Sequence, residues 1–190
     1  MQVLIIETQR YRDARGWFSE TWSAARMAKA GIAHDFVQDN QSCSVQVGTL
    51  RGLHFQRPPF AQAKLVRCLK GRIFDVAVDI RPQSPTFGHW VGAELAAQDG
   101  RQMLVPRGMA HGFLTLEPDT EVAYKVDNPY AQGSEGGIRW DDPAIAIDWP
   151  LAGLTPLLSD KDAQLPGVAE ALLEFAYDGN PLQPIRTITV

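Results

Sequence analysis

Residues 48–80, GTLRGLHFQRPPFAQAKLVRCLKGRIFDVAVDI, contain three segments with the pattern of β-strands. The segments TLRGLHFQ, KLVRCLK and RIFDVAVDI are rich in β-branched, leucine and aromatic residues, and glycine or proline lies between them. Six more segments of this kind flank the stretch: VLII, FVQDNQSCSV, HWVGAEL, RQMLVP, HGFLTL and EVAYKVD. Many short strands separated by turn residues predict an all-β fold, either a sandwich or a barrel.

Two segments have helical patterns. The first is SAARMAKAG, in which Ser23 is suited to the N-cap and Gly31 to the C-terminal stop. The second is PGVAEALLEF, residues 166–175. Long helices do not alternate with the strands, which disfavours a doubly wound α/β sheet. We therefore expect a few short helices at the periphery of a β-fold.

The length of 190 residues fits one domain with a substantial core. No linker-like stretch precedes residue 178, so we expect a single domain over residues 1–178. Residues 179–190 form a C-terminal tail that contains NPLQPIRTITV and ends in a strand-like pattern. This tail is either a loose end or an edge strand, and an edge strand could pair with a partner chain.

Composition excludes several classes of function. Hydrophobic residues make up 45% and charged residues 21% of the chain, and the net charge of −4 predicts no nucleic-acid or membrane surface. The start, MQVLIIETQRYRD, turns polar too early for a signal peptide, and no run reaches the roughly 18 apolar residues of a membrane span. We interpret Cys43 and Cys68 as reduced core residues. The chain is expected to be a cytoplasmic enzyme or binding protein.

The common motifs of phosphate loops and metal sites are absent from the sequence. There is no GxGxxG after a strand, no GxxxxGKS or GxxxxGKT, no CxxC and no HExxH. The four histidines, His34, His54, His89 and His111, do not form HxH or HxxxH, so the usual spacing of metal ligands is lacking. We predict neither a metal nor a cofactor.

His54 is a candidate functional residue within TLRGLHFQ. Strand alternation predicts Gly52, His54 and Gln56 on one face and Arg51, Leu53 and Phe55 on the other. Nearby glycines leave the imidazole little shielded, as a ligand pocket requires. Spacing alone does not separate this interpretation from a histidine that is hydrogen-bonded inside the core.

Lys64 shares a predicted strand face with Val66 and Cys68, which have the character of core residues. A lysine in such a position is costly unless an anion meets it. Asp75 and Asp79 lie in a strand whose two faces are both half apolar, which predicts burial on both sides. Lys64 is therefore a candidate partner for one of these carboxylates, and the alternative is a carboxylate in water at the end of a barrel.

Three further residues have a functional and a structural interpretation. Tyr124 lies on a face with valines, where a tyrosine is usually a core residue with a locally bonded hydroxyl. His111 follows a Pro and Gly turn and could be a strand-end histidine. Asp162 lies in LSDKD, and this local sequence by itself predicts a solvated loop carboxylate. The polar run 38–40 in a predicted strand indicates either a site or a bulge, since Asn and Asp are poor strand formers.

Together these segments resemble the dTDP-4-dehydrorhamnose 3,5-epimerase family. The matching stretches run in family order from about residue 13 to residue 162. They are DARGWFSE, FVQDNQS, GTLRGLHFQ, AQAKLVRCLKG, IFDVAVDIR, SPTFGHWVG, RQMLVPRGMAHGF, EVAYKVDNPY, SEGGIRWDDPAI and LSDKD. A set of motifs this long and ordered is highly specific.

The resemblance implies a cupin-type jelly-roll β-barrel and a homodimer. It implies that the substrate is dTDP-4-dehydro-6-deoxy-D-glucose and the product dTDP-4-dehydro-L-rhamnose, on the route to dTDP-L-rhamnose. It also implies no metal. PRGMAH looks like a second cupin motif with His111 at the ligand position, but the first motif would need an HxH where this chain has GLHFQ.

The resemblance also implies roles for individual residues. His54 matches the base, Asp162 the carboxylate that orients it, and Tyr124 the acid on the opposite face of the sugar. Lys64 and His111 match residues near the ketone, where a cation and a donor would stabilise an enolate. The positions that match contacts to the nucleotide or sugar are Arg15, Glu20, Gln38, Asn40, Arg51, Glu135 and Lys161, with Tyr130 as an aromatic beside the substrate.

Within this set, the pyrophosphate needs cations, and Arg15, Arg51 and Lys161 are the candidates. Thymine could stack on Phe18 or Tyr130. Three other functions stay open from the sequence. The first is an enzyme that inverts only C3 or only C5. The second is a cupin that binds a sugar nucleotide without catalysis, and the third is a metal-dependent cupin oxygenase or isomerase.

Overall fold

The computed structural model describes residues 2–190, which form thirteen strands, one α-helix and two short 3-10 turns. The elements, in chain order, are β1 (Leu4–Glu7), β2 (Tyr11–Asp13), β3 (Gly16–Phe18), α1 (Ala24–Lys29), β4 (Gln38–Ser44), β5 (Leu50–Gln56), β6 (Lys64–Lys70), β7 (Arg72–Asp79), β8 (Trp90–Ala96), β9 (Arg101–Val105), β10 (Met109–Thr115), β11 (Thr120–Val126), a 3-10 turn (Gln132–Ser134), β12 (Glu135–Gly137), a 3-10 turn (Asp162–Gln164) and β13 (Arg186–Thr189). All nine expected strands are present, so the all-β prediction is confirmed. The strands β2, β3 and β12 are additional, and β13 lies in the strand-like part of the C-terminal tail.

The strands form two main sheets. One has six strands in the order β13-β1-β9-β6-β11-β4, and the other has five in the order β12-β5-β10-β7-β8. Antiparallel pairing prevails in both, whereas β13 pairs with β1 in parallel. The short hairpin β2-β3 is a separate two-stranded sheet. Two facing antiparallel sheets of this kind make up the predicted jelly roll.

Three apolar clusters hold the sheets together. The central cluster contains side chains from both sheets, among them Val66, Ala77 and Val122, and fills the interior. A second cluster covers the outer face of the five-stranded sheet with residues from the C-terminal third of the chain, and a third packs α1 against the six-stranded sheet. Since Val76 and Val78 belong to the outer cluster and Ala77 to the central one, β7 is buried on both faces, as predicted.

The predicted helix SAARMAKAG is confirmed as α1. Ser23 precedes the helix in an extended conformation and its carbonyl oxygen accepts the Met27 N–H at 2.9 Å, although its side chain makes no capping hydrogen bond. Gly31 follows with φ of +82°, a conformation that glycine adopts without steric cost and that ends helices.

The second predicted helix, PGVAEALLEF, is wrong. Within residues 166–175 the backbone makes one turn at residues 168–170, and no helix follows it. Val168 and Phe175 are buried in the outer cluster of the five-stranded sheet, and the Val168 N–H donates to the carboxylate of Asp142 at 2.7 Å. Packing against the sheet and this side-chain acceptor outweigh the modest helix propensity of the segment.

The C-terminal tail runs along the molecule and ends at the edge of a sheet. Leu182 is buried in the central cluster, and its N–H donates to Thr86 Oγ1 at 2.8 Å. Strand β13 then pairs with β1 of the same chain, with Leu4 opposite Arg186. The edge strand therefore finds its neighbour within the chain.

Both cysteines are free thiols, but only one lies in the core. Burial raises the pKa of Cys68 to about 11, so this thiol stays protonated. Cys43 is exposed, because it lies on the outward face of β4, and the core prediction for it is wrong. Among the residues described, no helix has both the length and the apolar character needed to cross a membrane.

Candidate active site

A cavity of about 550 Å³ opens between the two sheets. Its walls come from β4, β6 and β11 of one sheet and from β5, β10 and β12 of the other, with a contribution from residues 159–162. The lining residues are Gln38, Asn40, Ser42, Arg51, His54, Phe55, Gln56, Gln62, Lys64, His111, Phe113, Tyr124, Tyr130, Glu135, Gly136, Ser159, Lys161 and Asp162. Eleven of the thirteen residues that the sequence nominated for a site are in this set.

A β-bulge in β5 places Arg51 and His54 in the same cavity. Arg51 is opposite Phe113 and His54 is opposite His111, so three steps along β5 match two steps along β10. Simple alternation had put Arg51 and His54 on opposite faces, and that prediction is wrong. The extra residue of the bulge reverses the alternation between them.

Gly52 and Gly112 allow the two strands to approach closely at the bulge. A Cβ atom on Gly52 would lie 2.6 Å from the Cα of Gly112, and the φ of Gly52, +133°, is one that side chains rarely permit. Glycine is therefore required at position 52. This close approach sets His54 beside His111 in the register of the sheet.

His54 and Asp162 form a hydrogen-bonded pair at the cavity wall. The Nε2 atom of His54 lies 2.5 Å from Oδ1 of Asp162. Burial by itself would raise the pKa of Asp162, but the hydrogen bond and charge of His54, with the Gly52 N–H and the Ser159 hydroxyl, hold that pKa below its ordinary value. The interpretation of Asp162 as a solvated loop carboxylate is wrong, because the 3-10 turn that carries it packs against β5 and buries it.

Because Asp162 is ionised, its carboxylate accepts a hydrogen bond from the Nε2–H of the imidazole. The neutral ring then carries its hydrogen on Nε2 and has its lone pair on Nδ1. The imidazole is 38% exposed while the carboxylate side chain is 5% exposed. One side of the ring is thus held by a buried anion, and the ring has access to the cavity.

Lys64, His111 and Asp75 form a group of titratable side chains deeper in the site. His111 Nε2 lies 2.7 Å from Asp75 Oδ1, and Lys64 Nζ donates to the carbonyl oxygen of His54 at 3.3 Å. Lys64 was a candidate partner for Asp75 or Asp79, but the Asp75 carboxylate contacts His111 instead. The two residues are diagonal neighbours on β7 and β10, because Asp75 is opposite Phe113 and Ala77 is opposite His111. The second oxygen of Asp75 is buried without a hydrogen bond among the residues described.

Burial controls the protonation of this group. It lowers the pKa of Lys64 to about 8, and the negative charge of Asp75 acts in the opposite direction. Burial also lowers the pKa of His111, again against the effect of Asp75. At neutral pH the site therefore contains a lysine cation beside a neutral His111.

Tyr124 faces the cavity from β11, across from His54. Burial raises the pKa of its hydroxyl, with the charge of Arg51 acting in the opposite direction, so the phenol is protonated at neutral pH. Its ring lies 5.9 Å from Lys64 Nζ. Within residues 2–190 the structure shows no hydrogen bond from the Tyr124 hydroxyl to the protein, which differs from the locally bonded core tyrosine considered above.

Polar side chains form the outer part of the cavity. Lys161 Nζ donates to Glu135 at 2.7 Å, and this bond raises the pKa of Lys161. Gln38 donates to the side chain of Asn40 at 2.8 Å. Arg51 donates to the Ser44 hydroxyl and to the Cys43 carbonyl oxygen. Two cations and several amides therefore lie where an anionic ligand would enter.

Arg15 and Glu20 lie outside this cavity. Arg15 is in the turn of the β2-β3 hairpin, its side chain is 89% exposed, and it pairs with Asp13. Glu20 pairs with Arg26 at 3.4 Å. The prediction that these residues join the others fails within a single chain, because the hairpin is a separate sheet. Phe18, a candidate for stacking, is 69% exposed on the same hairpin.

Sequence reasoning missed several residues of the cavity, notably Gln56 and Gln62, Ser42, Ser159 and Phe113. Gln56 had a signal, since alternation placed it on the face of His54. Ser159 had none, because its role is to accept the Asp162 N–H at 3.1 Å in a turn whose position depends on the folded chain. In the part of the chain that the structure describes, no three or more His, Cys, Asp or Glu side chains are grouped to hold a metal ion.

Comparison with known proteins gives consistent matches. The sequence model of the dTDP-4-dehydrorhamnose 3,5-epimerase family matches residues 1–170. A protein of Sinorhizobium fredii with that name is 49% identical over 180 residues, which are 93% of this chain and 90% of the relative.

Solved structures agree with these matches. A Bacillus anthracis dTDP-4-dehydrorhamnose 3,5-epimerase with TDP and PPi bound superposes with a TM-score of 0.84 at 47% identity, covering 87% of this chain and 93% of that one. A Legionella pneumophila dTDP-6-deoxy-D-glucose-3,5-epimerase in complex with dTDP-4-keto-L-rhamnose has a TM-score of 0.82 at 44% identity, covering 89% and 94%.

Proposed function

The chain belongs to the dTDP-4-dehydrorhamnose 3,5-epimerase family, and from this premise we propose how its residues carry out the reaction. The protein is an isomerase that inverts C3 and C5 of dTDP-4-dehydro-6-deoxy-D-glucose to give dTDP-4-dehydro-L-rhamnose, in dTDP-L-rhamnose biosynthesis. The observation that carries the proposal is the His54–Asp162 pair in a cavity that also contains Lys64 and Tyr124.

His54 is the base. It removes the proton from the carbon beside the C4 ketone, and the electron pair of the broken C–H bond moves toward the carbonyl to form an enolate. The lone pair on Nδ1 accepts the proton while Asp162 keeps the hydrogen on Nε2 and stabilises the imidazolium. Support for this role comes from the 2.5 Å contact and from the lowered pKa of Asp162.

Lys64 stabilises the enolate oxygen, and the His111–Asp75 pair lies beside it. A weakly acidic C–H bond is broken slowly unless the charge that develops on the oxygen is met by fixed donors. Lys64 is cationic below pH 8, and its Nζ already lies 3.3 Å from the backbone of the base. Asp75 orients His111 through the 2.7 Å contact and favours the charged form of Lys64.

Tyr124 returns a proton to the opposite face of the sugar ring. Inversion requires that the new C–H bond form on the face away from His54. The raised pKa of Tyr124 keeps its hydroxyl protonated before this step. After the phenol has given its proton to carbon, the phenolate is reprotonated from solvent and His54 releases its proton, so the enzyme returns to its starting state.

The outer cavity holds the nucleotide. Arg51 and Lys161 supply cations for the pyrophosphate, and Gln38, Asn40 and Glu135 supply hydrogen bonds. Tyr130, which is 55% exposed on the rim, provides an aromatic face beside the substrate. Their positions in one cavity of about 550 Å³ support these assignments.

A second copy of the chain contributes to the site. The β2-β3 hairpin exposes Trp17 and Phe18 at 52% and 69%, which are large apolar side chains to leave in water. Arg15 lies in the turn of the same hairpin, and Glu20 follows β3. In the proposed homodimer, the second copy covers this hairpin, and Arg15 and Glu20 reach the nucleotide site of that second copy. This arrangement explains why the two residues match the family motif and yet lie outside the cavity of their own chain.

The cell compartment and the domain limits complete the proposal. A cytoplasmic location fits the two free thiols. The catalytic domain is assigned to residues 1–178, with residues 179–190 as a tail that supports the first sheet through β13.

The decisive experiment is incubation of the protein with dTDP-4-dehydro-6-deoxy-D-glucose in deuterated water, followed by NMR. We expect deuterium at both C3 and C5 and conversion to the L-rhamno product. His54→Ala should abolish incorporation at both carbons, whereas His89→Ala, an exposed histidine outside the cavity, should not. Exchange at one carbon would indicate a single-position epimerase, binding without exchange a non-catalytic cupin, and unchanged exchange in His54→Ala would remove His54 as the base.

A further inference from the structure

Three glutamine side chains hold the loop of residues 128–131 at the mouth of the cavity. Four consecutive residues of this loop each bond to a glutamine through a backbone N–H or carbonyl group. The glutamines are Gln38 on β4, Gln56 at the end of β5 and Gln62 just before β6. The loop carries Tyr130, and all three glutamines line the same cavity.

Gln56 makes the most contacts of the three. Its Oε1 accepts the Ala131 N–H at 2.8 Å, and its Nε2 donates to the carbonyl oxygens of Phe60 at 2.8 Å and Pro129 at 3.2 Å. The side chain is buried, so each of these bonds would leave an unsatisfied polar group if it were removed. Gln56 thus ties the rim loop to the strand that carries His54, two residues away.

Gln38 and Gln62 hold the other side of the loop. Gln38 Oε1 accepts the Tyr130 N–H at 3.1 Å, and Gln62 Nε2 donates to the Asn128 carbonyl oxygen at 2.7 Å. The loop would otherwise be a surface segment with freely hydrated backbone groups, and such segments are mobile. Side chains that bond the backbone of each residue from 128 to 131 remove that freedom.

We propose that Gln56, assisted by Gln62 and Gln38, is a positioning residue that fixes Tyr130 against the substrate. The effect on catalysis rests on the proposed function. The clamp, meaning the hydrogen bonds from the three glutamines to residues 128–131, is present in the protein without ligand. The Tyr130 ring is more than half exposed, so little other packing restrains it. The hydrogen-bonded loop therefore determines where the aromatic wall of the cavity stands.

The first test measures the clamp without substrate. Amide hydrogen exchange resolved by NMR should show the Ala131 N–H exchanging at least about 10-fold faster in Gln56→Met than in the wild type, because its acceptor is gone. The Ile138 N–H, bonded to the Leu53 carbonyl oxygen at 3.0 Å, should be unchanged. An unchanged Ala131 rate would overturn the clamp, whatever the activity of the protein.

The second test couples the clamp to catalysis. Gln56→Met should lower kcat by about 10- to 100-fold, since a misplacement of about 1 Å can cost up to about 100-fold. If Gln56 acts through Tyr130, the double variant Gln56→Met/Tyr130→Ala should be no slower than Tyr130→Ala alone. Additive losses, or a Tyr130→Ala variant with wild-type kcat, would overturn the positioning role.

Controls separate this role from general damage to the fold. Gln41→Met removes a glutamine from the outward face of β4, where it bonds Glu121, and should leave both amide exchange and kcat unchanged. Should Gln56→Met not fold, Gln62→Met removes one bond to the loop, and its effects should have the same direction at the Asn128, Tyr130 and Ala131 amides and in kcat. Wild-type kinetics for Gln62→Met with unchanged exchange would contradict the proposal.

Discussion

The Nε2 atom of His54 lies 2.5 Å from Oδ1 of Asp162, although 108 residues separate the two in the chain. Asp162 is buried and ionised, while the imidazole has access to the cavity. A buried anion behind an accessible imidazole determines which ring nitrogen carries the hydrogen and favours the imidazolium once it forms. The pair thus has the properties of a base that abstracts a proton from carbon.

Replacement of Asp162 by asparagine should lower kcat by about 10³-fold. The amide cannot supply the negative charge that stabilises the imidazolium, and its NH₂ group can reverse the tautomer of His54. Deuterium incorporation from solvent at C3 and C5 measures this loss. A matched control is Asp141→Asn, which removes an exposed carboxylate that pairs with Arg139 and is not among the residues lining the cavity. Comparable losses in the two variants would contradict the role of Asp162.

Removal of the Tyr124 hydroxyl should separate proton exchange from inversion. Tyr124→Phe retains the base, so the proton beside the ketone should still exchange with solvent from the His54 face. Inversion should fall by about 10²-fold or more because the donor on the opposite face is lost. NMR of the substrate in deuterated water reports both processes. Equal losses in exchange and inversion would argue against a dedicated acid at this position.

The activity should depend on pH through Lys64. Burial lowers the pKa of this lysine to about 8, so it is charged below that pH and loses its charge above it. Since kcat/KM reports the free enzyme, log kcat/KM should fall as pH rises through about 8. A profile that stays flat up to pH 9.5 would show that the charge of Lys64 is not required.

Two variants assign that pH dependence to its source. In Lys64→Arg the cation persists above pH 10, so the fall near pH 8 should disappear even if the maximum rate is reduced. In Asp75→Asn the charge that favours protonated Lys64 is gone, so the fall should move to lower pH. A fall that stays in place in both variants would have to be assigned to another group.

Arg15→Ala should raise KM for the dTDP-sugar by about 10-fold with little change in kcat, if the hairpin reaches the nucleotide site of a second copy. Arg139→Ala is the matched control, because Arg139 is also an exposed arginine paired with an aspartate two residues away. A KM that is unchanged in both variants would contradict the shared site. So would a protein that light scattering shows to be monomeric while it is fully active.

Much of the fold follows from local sequence pattern. The bounds of β6 coincide with the predicted segment KLVRCLK, and the alternation in RIFDVAVDI correctly predicted burial of both faces of β7. Strand periodicity is a property of consecutive residues, so a linear reading captures it. The helix predicted over residues 166–175 is absent because Val168 and Phe175 pack against the five-stranded sheet and the Val168 N–H donates to Asp142.

The site was recognisable as a set of motifs rather than as a geometry. Spacing alone left His54 without a decided role, described Asp162 as solvated, and placed Arg51 on the wrong face. Each of these questions depends on contacts between distant segments. The bulge in β5 shifts its register against β10, and the 3-10 turn brings Asp162 to β5. Residue order contains no measure of these distances.

The sequence by itself determined most of the β-strands and the family, and it nominated the residues that are proposed to carry the chemistry. Those properties depend on residue type and on neighbours a few positions apart. Only the tertiary structure decided which nitrogen of His54 meets Asp162, that Asp75 contacts His111, and that glutamines hold the loop of Tyr130. Hydrogen bonds require atoms within about 3 Å, and only the folded chain brings residues so far apart in sequence to that distance.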